Sequence, residues 1–176
     1  MKLSNLLLVA GSGRNTGKTT IVCRIIEQFR HLGITSIKIS PHFHNQSDGL
    51  IHFVGKPGYE IYEETNMNTF KDSSRMLKSG AKKVYYIQTI EESLNKAFSN
   101  IYMNIPSGKP VICESPALIN YIEPGVFIIM ISPAGSNLKN IENLKRFLHI
   151  EFTYEEILKS TLLPIDFING RWKSLK

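Results

Sequence analysis

The stretch with the clearest capacity for chemistry is Gly11-Ser-Gly-Arg-Asn-Thr-Gly-Lys-Thr-Thr20, directly after the apolar run Leu6 to Ala10. An apolar strand, a glycine-rich loop, and then lysine and hydroxyls opening a helical pattern form the order of a phosphate-binding unit. Glycine removes side chains so that successive backbone N–H groups can close around phosphate oxygens, and the first turn of the following helix aims unsatisfied donors at the same anion. In that scheme Lys18 reaches the β and γ phosphates. The Thr19 hydroxyl completes the coordination of a Mg2+ held mainly by the nucleotide. Gly13, Arg14, Asn15, Thr16, Gly17 and Thr20 share the loop and count with them as candidate nucleotide contacts. The usual template has glycine where this chain has Ser12. Gly11 and Gly13 flank that position and supply backbone freedom, so the loop reads as a variant of the template.

A Mg2+–triphosphate usually takes a further acidic contact at the end of a neighbouring strand. Glu114, after Val111-Ile-Cys113, is placed for it, and Asp72 within Lys71-Asp-Ser-Ser-Arg75 is a second acid able to reach a metal or orient water. Lys18, Asp72 and Glu114 are therefore the candidate catalytic groups, with Thr19 and Glu114 the candidate metal contacts. His42 and His44, with Asp48 nearby, lack a defined third and fourth metal ligand and read better as polar loop groups near phosphate or substrate. Gly108-Lys109 repeats part of the loop motif, but Pro110 removes an N–H and blocks a helix start.

Elements must hold these groups in place. Ile21, Val22, Ile25, Ile26, Phe29 and Leu32 recur at helical spacing up to Gly33. Ser36 to Ser40 reads as a second strand, which makes a parallel crossover with the first. Leu50 to Val54 and Tyr59 to Tyr62 flank Gly55-Lys-Pro-Gly58, predicting a β-hairpin inserted at about residues 50–63 that projects from the main sheet. A short helix is expected from Phe70 to Ser79, strands at Val84–Ile87, Val111–Cys113 and Val126–Ile131, and helices over Glu91–Met103 and Asn137–Leu148. Thr153, with Glu156 three residues on, has the capping-box spacing of a last helix. Alternating strands and helices give an α/β fold in three layers around a mostly parallel sheet, within one domain spanning residues 1–176. Ligands of such sheets bind at the carboxyl ends of the strands.

Lysine and arginine exceed aspartate and glutamate by six (21 against 15), yet no basic run is interleaved with aromatics as a nucleic-acid track would be. Arg171-Trp-Lys173 and Lys176 are read as a contact for an acidic partner or a solvated tail. The apolar run at Leu6–Ala10 is too short for a secretory signal or a membrane span and reads as a buried strand. Cys23 and Cys113 have no metal-ligand spacing and are expected as reduced core thiols of a cytoplasmic protein.

Taken in order, Leu8 to Thr20, Ile37-Lys-Ile-Ser-Pro-His-Phe-His44, Lys71 to Arg75 with Ser79-Gly-Ala81, and Val111 to Glu114 resemble the blocks of the MobB-type molybdopterin-guanine dinucleotide biosynthesis proteins, P-loop NTPases by fold. The resemblance runs from about Leu3 to Glu114. It implies binding of GTP with Mg2+, at most weak hydrolysis, a homodimer, and assistance to the nucleotidyltransferase that attaches GMP to molybdopterin. It also implies that Gly13, Thr16, Gly17, Lys18, Thr19 and Thr20 hold phosphate and metal. Lys38, His42, His44, Asp72 and Arg75 would lie in or beside the pocket, and Glu114 would be the second acidic contact. ATP remains open as the nucleotide, since no Asn-Lys-x-Asp stretch is present and Asn137-Leu-Lys139 is only a suggestive loop. Two other functions stay open. One is an ATP-dependent small-molecule kinase with the hairpin as a lid, the other a nucleotide-dependent switch that binds a protein.

Overall fold

The computed structural model describes residues 1–13, 15–45, 48–132 and 141–176. In chain order the elements are β1 (Lys2–Gly11), α1 (Lys18–Gln28), β2 (Thr35–Ser40), β3 (Leu50–Lys56), β4 (Tyr59–Glu64), α2 (Asp72–Lys78), β5 (Lys83–Thr89), α3 (Leu94–Tyr102), β6 (Val111–Glu114), β7 (Glu123–Ile131), α4 (Glu142–Lys145), β8 (Ile150–Thr153), α5 (Tyr154–Lys159), β9 (Ile165–Ile168) and β10 (Arg171–Ser174). Among the described residues β1 to β8 form an eight-stranded sheet in the order β3-β4-β5-β2-β6-β1-β7-β8. Every pair from β5 to β8 is parallel. The chain is thus an α/β protein with a mostly parallel central sheet. No helix of the described residues is long and apolar enough to cross a membrane.

The period-two alternation of β1 divides the interior. Leu6, Leu8 and Ala10 join Ile37, Ile87, Phe98 and Ile101 in a core against α3, whereas Leu7 and Val9 join Ile21, Ile25, Met76 and Ile128 in a core against α1 and α2. Leu6 to Ala10 are fully buried because strands and helices cover both faces of β1. Cys23 and Cys113 are buried free thiols in this interior.

Two expectations change. The segments over residues 50–63 do not project. β4 pairs antiparallel with β5, and β3 with β4, so both lie within the main sheet as its margin. Ile61 opposite Ile87, and Tyr62 stacked on Tyr86 with ring centroids 6.5 Å apart, reward that in-plane pairing. The expected helix to Leu148 is, in its described part, one turn at Glu142–Lys145; residues 133–140, with the Asn137-Leu-Lys139 loop, lie outside the described residues.

The C-terminal segment is not a solvated tail. β9 and β10 pair antiparallel around Asn169 and Gly170, whose φ values of 53° and 72° suit a two-residue primed turn. Trp172, 2% exposed, packs edge-on against Phe29 and Phe167 and donates its indole N–H to the Val111 carbonyl at 3.1 Å. Aromatic burial at the start of β6 outweighs the charge of Arg171 and Lys173 on either side. A Cβ at Gly170 would be strained at that φ and would lie 3.3 Å from Gly108 Cα. Gly170→Ala is expected to cost about 1 kcal/mol, read as a lower urea midpoint; an unchanged midpoint would mean that the turn opens without cost.

Candidate functional site

The turn between β1 and α1 is shaped by close approach. A Cβ at Gly11 would sit 2.6 Å from Thr16 Oγ1 and 3.0 Å from Lys18 Cγ, so any larger residue there would have to displace those two side chains. Ser12 is 1% exposed and faces away from the turn. Its N–H donates to the Met130 carbonyl at 3.0 Å, and its Oγ accepts from the Ser132 N–H at 3.0 Å. A hydroxyl in place of the template glycine therefore ties the turn to the end of β7 without filling it. Asn15 takes a left-handed φ of 57°, and Gly17, at 88°, precedes the first residue of α1. Gly17, the N-cap of α1, has no side chain to cap the helix, so the first turn of α1 begins directly at the glycine-rich turn. Lys18 curls back so that its Nζ donates to the Gly13 carbonyl and, at 3.2 Å, to Thr16 Oγ1. Arg14 lies outside the described residues.

A charged network sits beside this turn, on the side of β6, β2 and α2. Thr19 Oγ1 donates to Glu114 Oε2 at 2.9 Å; Glu114, at the end of β6, is 2% exposed. Lys38, on β2, reaches Glu114 Oε1 at 2.5 Å and Asp72 Oδ2 at 2.8 Å. Its position follows from register, since Lys38 lies opposite Glu114 in the β2–β6 pair. Arg75 lies 3.8 Å from Asp72 Oδ1 and donates to Thr20 Oγ1 at 3.3 Å. Six residues singled out in the sequence, Thr19, Thr20, Lys38, Asp72, Arg75 and Glu114, thus meet at the carboxyl end of the sheet, as the crossover β1–α1–β2 and the placement of β6 between β1 and β2 require.

Electrostatics bind the network together. Burial alone would raise the Asp72 carboxyl, but the Lys38 ammonium, through its charge and its hydrogen bond, together with the nearby Thr19 hydroxyl and the Arg75 charge, overcomes it and holds the group below the ordinary aspartate range. Burial likewise opposes the charge on Lys38, and Glu114 and Asp72 outweigh it, raising Lys38 above its usual value. Because the folded value of Asp72 is depressed, its contribution to stability is full above the ordinary aspartate range and is lost as pH falls through the folded value. Asp72→Asn is accordingly expected to flatten the loss of stability between about pH 5 and pH 2, measured as urea midpoints. Equal slopes in the two proteins would show that Asp72 is not held by Lys38.

No family model, curated protein or solved structure matches the chain.

The donors of the site are hard oxygens, namely the Thr19 hydroxyl and the Glu114 and Asp72 carboxylates. Among the described residues no group of three or more His, Cys, Asp or Glu could hold a metal alone. This set suits Mg2+, which takes one or two protein oxygens and completes its shell with phosphate and water. Thr19 and Glu114 Oε2 would be its protein contacts. The position between Glu114 and Asp72 already carries a cation, the Lys38 ammonium.

His42 and His44 stand on the exposed loop after β2, outside the network. His42 exchanges hydrogen bonds with Ser40 Oγ through its backbone, and the backbone of His44 does the same with the buried amide of Gln88. His44 nevertheless lines a cleft of about 470 Å³ with Lys38, Asn45, Phe70, Asp72 and Tyr86. The floor of this cleft is the face of β2 and β5, and its wall is the start of α2. Glu64 was not among the sequence candidates. It is 2% exposed at the end of β4 and accepts from Ser73 Oγ at 2.7 Å and the Asn66 N–H at 3.0 Å, pinning α2 beside the cleft. A charge pair after Tyr59–Tyr62 carries no motif, so only the antiparallel pairing of β4 could have placed it.

Proposed function

We propose that the chain is a P-loop nucleotide-binding protein that grips a Mg2+–nucleoside triphosphate at Gly11–Thr20. On this reading the fold is that of a P-loop NTPase with an inserted hairpin at about 50–63. One observation carries the proposal: Thr19, at the first turn of α1 beyond the glycine-rich turn, is hydrogen-bonded to the buried Glu114 at the end of the adjacent strand. A hydroxyl on a helix start beside a strand-end carboxylate is what a triphosphate-bound Mg2+ needs from the protein. Bound there, the metal neutralises phosphate charge. The chain's own part is to surround the phosphates with backbone N–H groups, place the Lys18 ammonium on them, and hold Thr19 and Glu114 in line.

The order of sequence blocks supports a narrower form. The nucleotide is GTP, the protein is a homodimer, and it assists a molybdopterin nucleotidyltransferase in attaching GMP, with little hydrolysis of its own. Thermal shift and calorimetry with GTP, ATP and their diphosphates, with and without Mg2+, test both levels. Stabilisation by GTP with Mg2+, larger than by ATP, is expected; no stabilisation by any nucleotide would overturn the proposal. The cleft against Asp72 favours a second reading, an ATP-dependent small-molecule kinase with Asp72 facing an acceptor hydroxyl. ATP preference together with phosphate transfer to a small hydroxylated compound would decide for it.

A further inference from the structure

The charged network of Thr19, Lys38, Asp72 and Glu114 lies on one flank of the glycine-rich turn. The other flank is made by β7 and β8, which follow β1 in the sheet. There Thr153, opposite Ile131 in the β7–β8 pair, caps α5 in a capping box with Glu156, and Tyr154 is the first residue of that helix. The edge of the Tyr154 ring rests on Gly17: a Cβ there would lie 2.8 Å from Tyr154 Cδ2 and 3.2 Å from Cε of the buried Met130. Even so, Tyr154 is 45% exposed. It is an aromatic surface supported on one side by the start of α1 and open on the other.

This position has a consequence for a nucleotide. Thr19, Glu114, Lys38 and Asp72 all lie toward β6, β2 and α2. With the metal-bearing end of a triphosphate at Thr19 and Glu114 on that side, the flank left for its nucleoside end is that of β7 and β8, where Tyr154 stands. We propose that Tyr154 is the stacking wall for the base of the bound nucleotide, a binding residue that holds the nucleoside while the turn holds the phosphates. The inference rests on the nucleotide-binding proposal above. A flat ring with an apolar face accepts any base by stacking, so Tyr154 adds affinity for a nucleoside and none for phosphate alone.

The experiment is calorimetric titration of wild type, Tyr154→Ala and Tyr154→Phe with Mg2+–GTP, Mg2+–ATP and Mg2+–tripolyphosphate, the last carrying no base. Tyr154→Ala is expected to bind the preferred nucleotide about tenfold or more weakly while keeping wild-type affinity for tripolyphosphate, and Tyr154→Phe to bind both as wild type does. Retained tripolyphosphate binding shows that the turn is intact. The proposal is overturned if Tyr154→Ala binds nucleotide as wild type does, or loses both ligands equally, which would assign the ring to packing on Gly17. Loss of nucleotide affinity in Tyr86→Ala alone would move the base to the 470 Å³ cleft and overturn it as well. If wild type binds neither nucleotide nor tripolyphosphate, nucleotide binding itself fails, an outcome distinct from the others.

Discussion

Lys18→Ala is expected to weaken binding of a Mg2+–nucleoside triphosphate by at least about tenfold, because a charge-assisted contact to phosphate contributes more than about 1.4 kcal/mol. In the folded chain the ammonium satisfies itself on the Gly13 carbonyl and Thr16 Oγ1, both within the turn. Phosphate oxygens would replace these neutral acceptors with charged ones. The variant should fold normally, since Lys18 is only partly buried. Calorimetry of wild type and variant under the same salt and Mg2+ is the measurement. Equal affinities would remove Lys18 from phosphate binding and with it the main cationic contribution of the turn.

Glu114→Ala is expected to lower folding stability by about 3 kcal/mol, the scale on which removing one member of a buried ion pair acts. Lys38, with 18% of its side chain exposed, would keep Asp72 alone, whose side chain is 40% exposed, and Thr19 would lose its acceptor. Urea denaturation reads this loss directly. Glu114→Gln separates the two roles of the residue. The amide keeps the volume and an acceptor for Thr19 but not the charge, so nucleotide should still bind while its dependence on Mg2+ weakens. Wild-type Mg2+ dependence in Glu114→Gln would transfer the acidic role to Asp72. Wild-type stability in Glu114→Ala would mean that the Lys38 ammonium relaxes into solvent.

Local chemistry made part of this architecture readable before any coordinates. Leu6–Ala10 is an uninterrupted apolar run of the kind a strand buried on both faces needs, and β1 stands where the pattern puts it. The helical period from Ile21 to Leu32 is met only as far as Gln28, where α1 ends; a separate 3-10 turn at Arg30–Leu32 then carries the chain to Gly33, whose φ of 69° makes the stop. Thr153 and Glu156 form the capping box that their spacing predicts. Glu114 was placed at a strand end because three apolar residues precede it, and it ends β6. What stayed hidden depends on pairing between distant segments. Lys38 was singled out only through a family resemblance, and its ion pairs follow from its register opposite Glu114. Glu64 and Tyr154 gain their positions from the pairing of β4 with β5 and of β8 with β7, which no local motif announces. The β9–β10 pair was legible and was missed. Asn169-Gly170 between Ile165–Ile168 and Arg171–Ser174 is a strong short-range turn signal, and the charges of Arg171 and Lys173 around Trp172 mask it by resembling a solvated tail.

The alternation of β1 carries a last consequence. Leu7 and Val9 serve one side of the sheet while Leu6, Leu8 and Ala10 serve the other, and Gly11 ends the strand opposite Met130. Excising a single codon anywhere from Leu6 to Ala10 would interchange the two sets of side chains or carry Gly11 out of reach of its partner. The strand therefore acts as a ruler: its length, as much as its apolar letters, delivers the glycines to the carboxyl end of the sheet.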